Sequence, residues 1–197
     1  MSKHWFIAHL IKKYTNGKNI GLDVGVGKDN WSDFKKCDFI DVDINKQSKS
    51  DIIIDLEQHL PFKDSFFDVV ISINVLNYVK KSRQVMKEIN RVLKMDGIFV
   101  CIVDNPNSNN EKDDTWSQTY LDRILSLTGF KTILKNNLKD FLYAKWFNKT
   151  SVYAFAVVKK IENYETPLKK DVVTNKKTKQ EIKWAKSYNI KTTHPED

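Results

Sequence analysis

The stretch NIGLDVGVGKDNW, residues Asn19–Trp31, decides how this chain is read. Ile20, Leu22 and Val24 form a short apolar run that ends in two glycines one residue apart, Gly25 and Gly27. A strand running into a glycine turn opens a nucleotide-binding α/β unit. Two features disagree with a phosphate-binding turn. Asp23 stands just before the glycines, and Asn30 occupies the place of the third glycine in a G-x-G-x-x-G pattern.

Working outward, short apolar segments alternate with polar links. NIGLDV (19–24), DFIDV (38–42), DIII (51–54), FDVVISI (67–73) and GIFVCIV (97–103) read as strands. Several lack alternation, as expected when both faces of a sheet are covered. Between the last two lies a helix with Val85, Ile89, Val92 and Leu93 on its buried stripe, capped by Ser82 and stopped by Gly97. A second helix is expected over 115–128, with Gly129 after it, followed by strands FKTIL (130–134) and SVYAFAVV (151–158). Strands alternating with helices predict a doubly wound α/β sheet. The first crossover is abbreviated: KDNWSDFKKC has room for one helical turn, where a parallel crossover normally takes a dozen or more residues.

The ends of the chain read differently. MSKHWFIAHLIKKYTNGK forms an amphipathic helix with Ile7, Leu10, Ile11 and Tyr14 on one stripe; it has no small-residue cleavage site, so cytoplasmic residence is expected. Residues 161–197 form a basic, polar extension. No apolar run is long enough to cross a bilayer. With 197 residues, 41% hydrophobic and 29% charged, the composition is that of a soluble globular domain. A net charge of +8 raises the question of nucleic acid, but the lysines are spread without a basic block and only Arg83, Arg91 and Arg123 are arginines. Cys37 and Cys101 make neither a metal pair nor a disulfide framework, and Cys101 reads as a buried structural thiol.

Ligands of open α/β sheets bind at the carboxyl ends of the strands. This chain places Asp23, Asp43 and Asp55 there, with Asp41 one alternation back from Asp43. Such a collection repels a pyrophosphate. It suits a cationic or zwitterionic ligand with hydroxyls and an amine to donate, and S-adenosyl-L-methionine has that chemistry. A carboxylate can accept both hydroxyls of a ribose, and Gly25 and Gly27 allow close backbone approach.

At these residues the chain resembles the class I S-adenosylmethionine-dependent methyltransferases, from about 19 to 158. LDVGVG is similar to the family's glycine motif, and FIDVDIN to its second-strand motif, whose ribose-holding acid maps onto Asp43. DIIIDLEQHLPFKDSFFDVVISINVLNYV resembles the segment that places an acid at the adenine edge, here Asp55 followed by Leu56. RVLKMDGIFVCIV and ILSLTGF are similar to the helix-turn-strand and the approach to the final strands. The resemblance implies a Rossmann-like sheet of about seven strands, the last antiparallel, with residues 1–160 as the methyltransferase domain. The short first crossover is similar to that of compact members linked to sugar or cell-envelope modification. Departures are Asp29, where a small residue is usual, and Asn77-Tyr78, where a Glu-His pair is frequent.

Asn74, ending the fourth strand, is a candidate ligand contact, and Asp68 reads as structural. Residues 103–114 form a polar loop over the site, a candidate lid. Asp104-Asn105 resembles half of a catechol-type metal site, but Ile73-Asn74 stand in place of the other half, so no metal is expected. His4, His9, His59 and His194 share no ligand spacing. Tyr78 and Asp104 are the candidates for a catalytic base, needed only if the acceptor is a hydroxyl or a protonated amine. The expected function is methyl transfer to an O or N of a small-molecule or sugar-like acceptor. The alternatives are an RNA methyltransferase gripping phosphates through Lys12-Lys13, Lys80-Lys81 and the tail, and a non-catalytic methyltransferase-fold partner subunit.

Overall fold

Val69, Val70 and Ile71 are fully buried in succession, as are Phe99, Val100 and Cys101. Such runs require a sheet covered on both sides. The computed structural model describes residues 3–27, 31–105, 118–134 and 152–164. Its seven strands are β1 Ile20–Val24, β2 Asp38–Asp43, β3 Ile52–Ile53, β4 Phe67–Ile73, β5 Leu93–Asn105, β6 Phe130–Leu134 and β7 Val152–Lys160. They lie in the order β3-β2-β1-β4-β5-β7-β6. The first five pair in parallel, and β7 is antiparallel to both β5 and β6. This is the doubly wound sheet expected, with its last strand reversed.

Helices α2 (Ser82–Val92) and α3 (Gln118–Ser126) cover one face, where Leu22, Val24, Val70, Phe99 and Cys101 meet Val85, Ile89, Leu121 and Leu125. The other face receives α1 (Lys3–Thr15), whose Ile7, Leu10 and Ile11 pack on Ile71, Val100 and Val157. Burial drives the Cys101 thiol well above its ordinary range, which leaves it an inert core group.

The described part of the first crossover holds only a 3-10 turn, Ser32–Phe34, as its length requires. Two further links are equally short on helix. Residues 44–51 carry β2 to β3 through polar turns in which the Gln47 amide donates to Asn45 Oδ1, and residues 54–66 run to β4 without a helix. The first has no apolar periodicity to support one, and the second contains Pro61. Beside β1 and β2 the face is therefore covered by side chains. The Phe39 ring lies so close over Gly21 that an added Cβ would sit 2.4 Å from it. Lys35 Nζ stands 4.9 Å above the same ring.

Two capping expectations fail. Ser82 is the first helical residue rather than the cap of α2, since Lys81 precedes it without a side-chain bond; the Ser82 hydroxyl lies 3.4 Å from that of Tyr120. Gly97 does not stop the helix. Leu93 already begins β5, and Asp96 takes the turn at φ 63. The end of α2 is satisfied instead by the buried Lys160, whose Nζ donates to the carbonyls of Asn90 and Leu93 at 2.8 Å each. Helix C-terminal carbonyls favour such a cation.

Asn90 is a second tie. Its Nδ2 donates to Thr128 O at 2.9 Å and Glu162 O at 3.1 Å, and its Oδ1 accepts the Tyr164 amide at 3.2 Å. The first residues of the expected extension are thus held on the domain. The rest of it, residues 165–197, lies outside the described residues, as do residues 106–114 of the candidate lid and residues 28–30 with Asp29. The expected start of the second helix at 115–117, and the side chains of His4, Asp104 and His194, lie outside them too.

The segment 59–64 is bound to α2 by charge. Arg91 donates to Leu60 O at 3.0 Å and Phe62 O at 2.7 Å and pairs with Glu88 at 2.8 Å; Glu88 also accepts the Leu60 amide at 2.9 Å. Burial alone would raise the Glu88 carboxyl, but hydrogen bonds from His59 and Arg91 hold it down to about 2. A depressed carboxyl stabilises the fold fully above its unfolded range and loses that contribution as pH falls toward its folded value. Urea unfolding should therefore show a loss of about 3 kcal/mol from this group between pH 5 and 2, and Glu88→Gln should flatten the profile there by that amount.

Candidate functional site at the carboxyl rim of the sheet

The turn after β1 folds back onto β2. Gly25 and Gly27 adopt φ 78 and φ 59, conformations that suit residues without a Cβ. The amides of Gly25 and Val26 donate to Val42 O at 2.7 and 3.3 Å, and that of Gly27 to Asp43 Oδ2 at 2.7 Å. A phosphate site needs such amides free and pointing outward. Here all three are engaged, so the described turn offers no cradle for a pyrophosphate. The two glycines differ in purpose. A Cβ on Gly25 would fall 2.3 Å from Val75 Cγ2, so its bareness lets the turn after β4 close against it. Gly27 faces open space, with only Gly25 O at 4.0 Å from an added Cβ.

Strand register brings the acids together. Asp23 pairs with Asp41 across β1 and β2, and Asp43 follows on the same face by alternation. Asp23 is 2% exposed and Asp43 7%. Lys35 reaches into this cluster: its Nζ lies 2.9 Å from Asp23 Oδ2 and also contacts the Asp41 carboxylate, with 5% of its side chain exposed. Burial pushes the Asp23 carboxyl up to about 7, Lys35 opposes the rise, and Asp41 and Asp43 add to it. Asp41 is raised as well, by burial, against its bond from Lys35. In Asp43, Oδ1 accepts the Asn45 amide at 2.7 Å and Oδ2 that of Gly27. Each oxygen holds one amide and retains capacity for another donor.

The remaining candidates separate. Asn74 ends β4 at φ 56; its amide donates to Ile102 O at 2.8 Å, and its buried Oδ1 has no hydrogen-bond partner. A strained non-glycine residue with an unsatisfied acceptor at a strand end is a mark of a ligand contact. Asp55 is half-buried and its Oδ1 accepts the Glu57 amide at 2.9 Å, which closes a local turn. Leu56 is 6% exposed and belongs to the core cluster on the α2 face of the sheet. Tyr78, in the turn Leu76–Tyr78, is 86% exposed. Asp104 lies near the end of β5, paired with Tyr153 of β7. Asp68 is structural: its carboxylate accepts the amides of Asn19 and Ile20 and pairs with Lys94 at 2.8 Å.

Sequence reasoning missed Lys35. A signal existed: acids at positions 23, 41 and 43 fall on one face of adjacent strands, and a buried trio of that kind needs a cation. The lysine pairs do not converge on the rim. Lys12 and Lys13 belong to the last turn of α1, which leads into the amino end of β1, whereas Lys80 and Lys81 follow the carboxyl end of β4.

Residues 22–101 match the sequence profile of a methyltransferase domain family. An uncharacterized protein of Methanocaldococcus jannaschii is 31% identical over 146 residues, which are 67% of this chain and 64% of that one. The chain spans less than two thirds of the length of the curated relatives it matches. Among solved structures, phosphoethanolamine N-methyltransferase 2 of Haemonchus contortus, in complex with S-adenosyl-L-methionine, shares the fold at a TM-score of 0.59 with 14% identity, over 80% of this chain and 53% of that one. The cyclase SpnF shares it at a TM-score of 0.60 with 15% identity, over 79% and 80%.

The fit of Gly25 against Val75 is open to direct measurement. Gly25→Ala adds both a strained φ and an overlap, and should lower unfolding free energy by about 1–3 kcal/mol. Combining it with Val75→Ala should recover part of that loss, so that the two changes are non-additive in urea denaturation.

Proposed function

We propose that this chain, in which residues 22–101 match a methyltransferase-domain profile, is a class I S-adenosylmethionine-dependent methyltransferase and binds S-adenosyl-L-methionine at the rim of β1 and β2. We propose further that it transfers the methyl group to an oxygen or nitrogen of a small-molecule or sugar-like acceptor. The observation that supports this most is the chemistry of the rim, which is rich in carboxylates and, in the described part of its glycine turn, engages the amides of Gly25, Val26 and Gly27. That donor set fits a ligand carrying positive charge and hydroxyl and amine donors.

When bound, S-adenosyl-L-methionine supplies a methyl group on a positively charged sulfur. The chain's own residues would hold and orient it. Asp43 has room on both oxygens for the ribose hydroxyls. Gly27 gives the open stretch of backbone, and Asp23 supplies negative charge next to it. Asn74 Oδ1 is ready to accept a hydrogen bond from cofactor or acceptor. Asp55 stands at the end of β3, where the family resemblance puts the adenine edge, while Leu56 contributes packing from below. Alignment and exclusion of water carry most of a displacement of this kind. If the acceptor is a hydroxyl, Tyr78 and Asp104, which follow β4 and end β5, are the residues proposed to take its proton. The separation of Lys12-Lys13 from Lys80-Lys81 supports a small acceptor over a long polyanion lying across both.

Titration calorimetry with S-adenosyl-L-methionine tests the cofactor site. The wild type should bind, and Asp43→Ala should weaken binding fivefold or more, on the order of 1–3 kcal/mol, because it removes a charged acceptor. Undiminished affinity in Asp43→Ala would remove Asp43 from the site. A screen with methyl-labelled cofactor against sugars, nucleotides and RNA tests the acceptor. Label should enter small hydroxyl or amine compounds; transfer to RNA with a steep salt dependence would overturn that class.

A further inference from the structure

Asp23, Asp41 and Asp43 occupy neighbouring same-face positions of two strands, and two of the three are buried. In an α/β unit with a full crossover helix, the helix N-terminus directs positive amide ends toward such a rim. The described part of this crossover holds only the three-residue turn Ser32–Phe34, too short for a macrodipole. The cation comes from a side chain instead. Lys35 leaves that turn, runs over the Phe39 ring and ends 2.9 Å from Asp23 Oδ2, in contact with Asp41 as well.

We propose that Lys35 is a positioning residue of the cofactor site: its ammonium, clamped between Asp23 and Asp41, holds the Asp23 carboxylate as a charged acceptor beside the glycine turn. The inference rests on the reading of this rim as the cofactor site. Asp23 has no other cation within reach among the described residues. The charged groups that act on it are Lys35, Asp41 and Asp43, with Asp51 behind Asp41, whose amide Asp51 accepts at 2.8 Å. β4 places Ile71 beside it, and α1 turns Ile7, Leu10 and Ile11 toward the same face. The nearby Cys37 thiol is pushed up to about 11 by burial and stays neutral. Without Lys35, burial and the neighbouring carboxylates would leave Asp23 protonated at neutral pH. A protonated acid donates rather than accepts and no longer attracts a cation.

The test compares wild type, Lys35→Arg and Lys35→Met as full chains, each checked for folding by circular dichroism. If Lys35→Met does not fold, Lys35→Gln, which keeps an N–H donor, takes its place. In the cofactor-free protein, carbon-13 NMR follows the Asp23 carboxyl from pH 5 to 9. Its midpoint should rise by at least one pH unit in the neutral variant and stay near the wild-type value in Lys35→Arg. Calorimetry then measures S-adenosyl-L-methionine binding at pH 6.5 and 8.5. The neutral variant should bind at least fivefold more weakly than wild type at pH 6.5, with the ratio shrinking at pH 8.5 as Asp23 ionises. Lys35→Arg should stay within threefold at both. An unmoved Asp23 midpoint, or a loss of affinity equal at both pH values, assigns Lys35 to packing and overturns the proposal while wild-type binding stands. Absence of binding by the wild type overturns the cofactor reading itself, and this role with it.

Discussion

The organising constraint of this molecule is the placement of three carboxylates on one face of two adjacent strands, in a fold that supplies little helix to cover them. Lys35 resolves it. The ammonium bridges Asp23 and Asp41, while Asp43 accepts the amides of Gly27 and Asn45. The glycine turn then closes on β2 rather than opening toward solvent, and Val75 fills the space that Gly25 leaves. Buried charge pairs of this kind are costly to break because each partner is stranded without the other. The arrangement of the rim and the integrity of the β1–β2 pair are therefore linked.

The consequence for chemistry is a rim of acceptors. Rossmann-type turns that bind dinucleotides present free amides to phosphate; here the amides of Gly25, Val26 and Gly27 are engaged. What this rim presents is carboxylate and amide oxygen, with the strained Asn74 and its unpartnered Oδ1 just beyond the end of β4. The fold alone would not have decided this, since proteins of the same architecture carry different activities.

Much of the architecture was legible in the sequence. Continuous apolar strands, the stripe of α2 and the short link from Val24 to Asp38 follow from periodicity and length, and the structure bears them out. The misreadings have local causes. Ser82 and Gly97 have the residue types that cap helices, but α2 is ended by a lysine sixty-odd residues away, a tertiary contact that no local pattern reveals. Leu56, which follows a candidate site acid in sequence, is buried in the core cluster next to the turn that Asp55 closes. The acids themselves were found; the cation that organises two of them was not, because Lys35 lies in a polar loop where lysines are ordinarily solvated.

The sheet's two margins carry a further consequence. At one end β3 contributes only Ile52 and Ile53 to the ladder; at the other, β6 is broken in register between Thr132 and Leu134 and bears the exposed Lys131. Long, flat margins recruit strands from neighbouring molecules and seed aggregates. Among the described residues, a stub on one side and a kinked, charged strand on the other leave little regular ladder on which a foreign strand could dock.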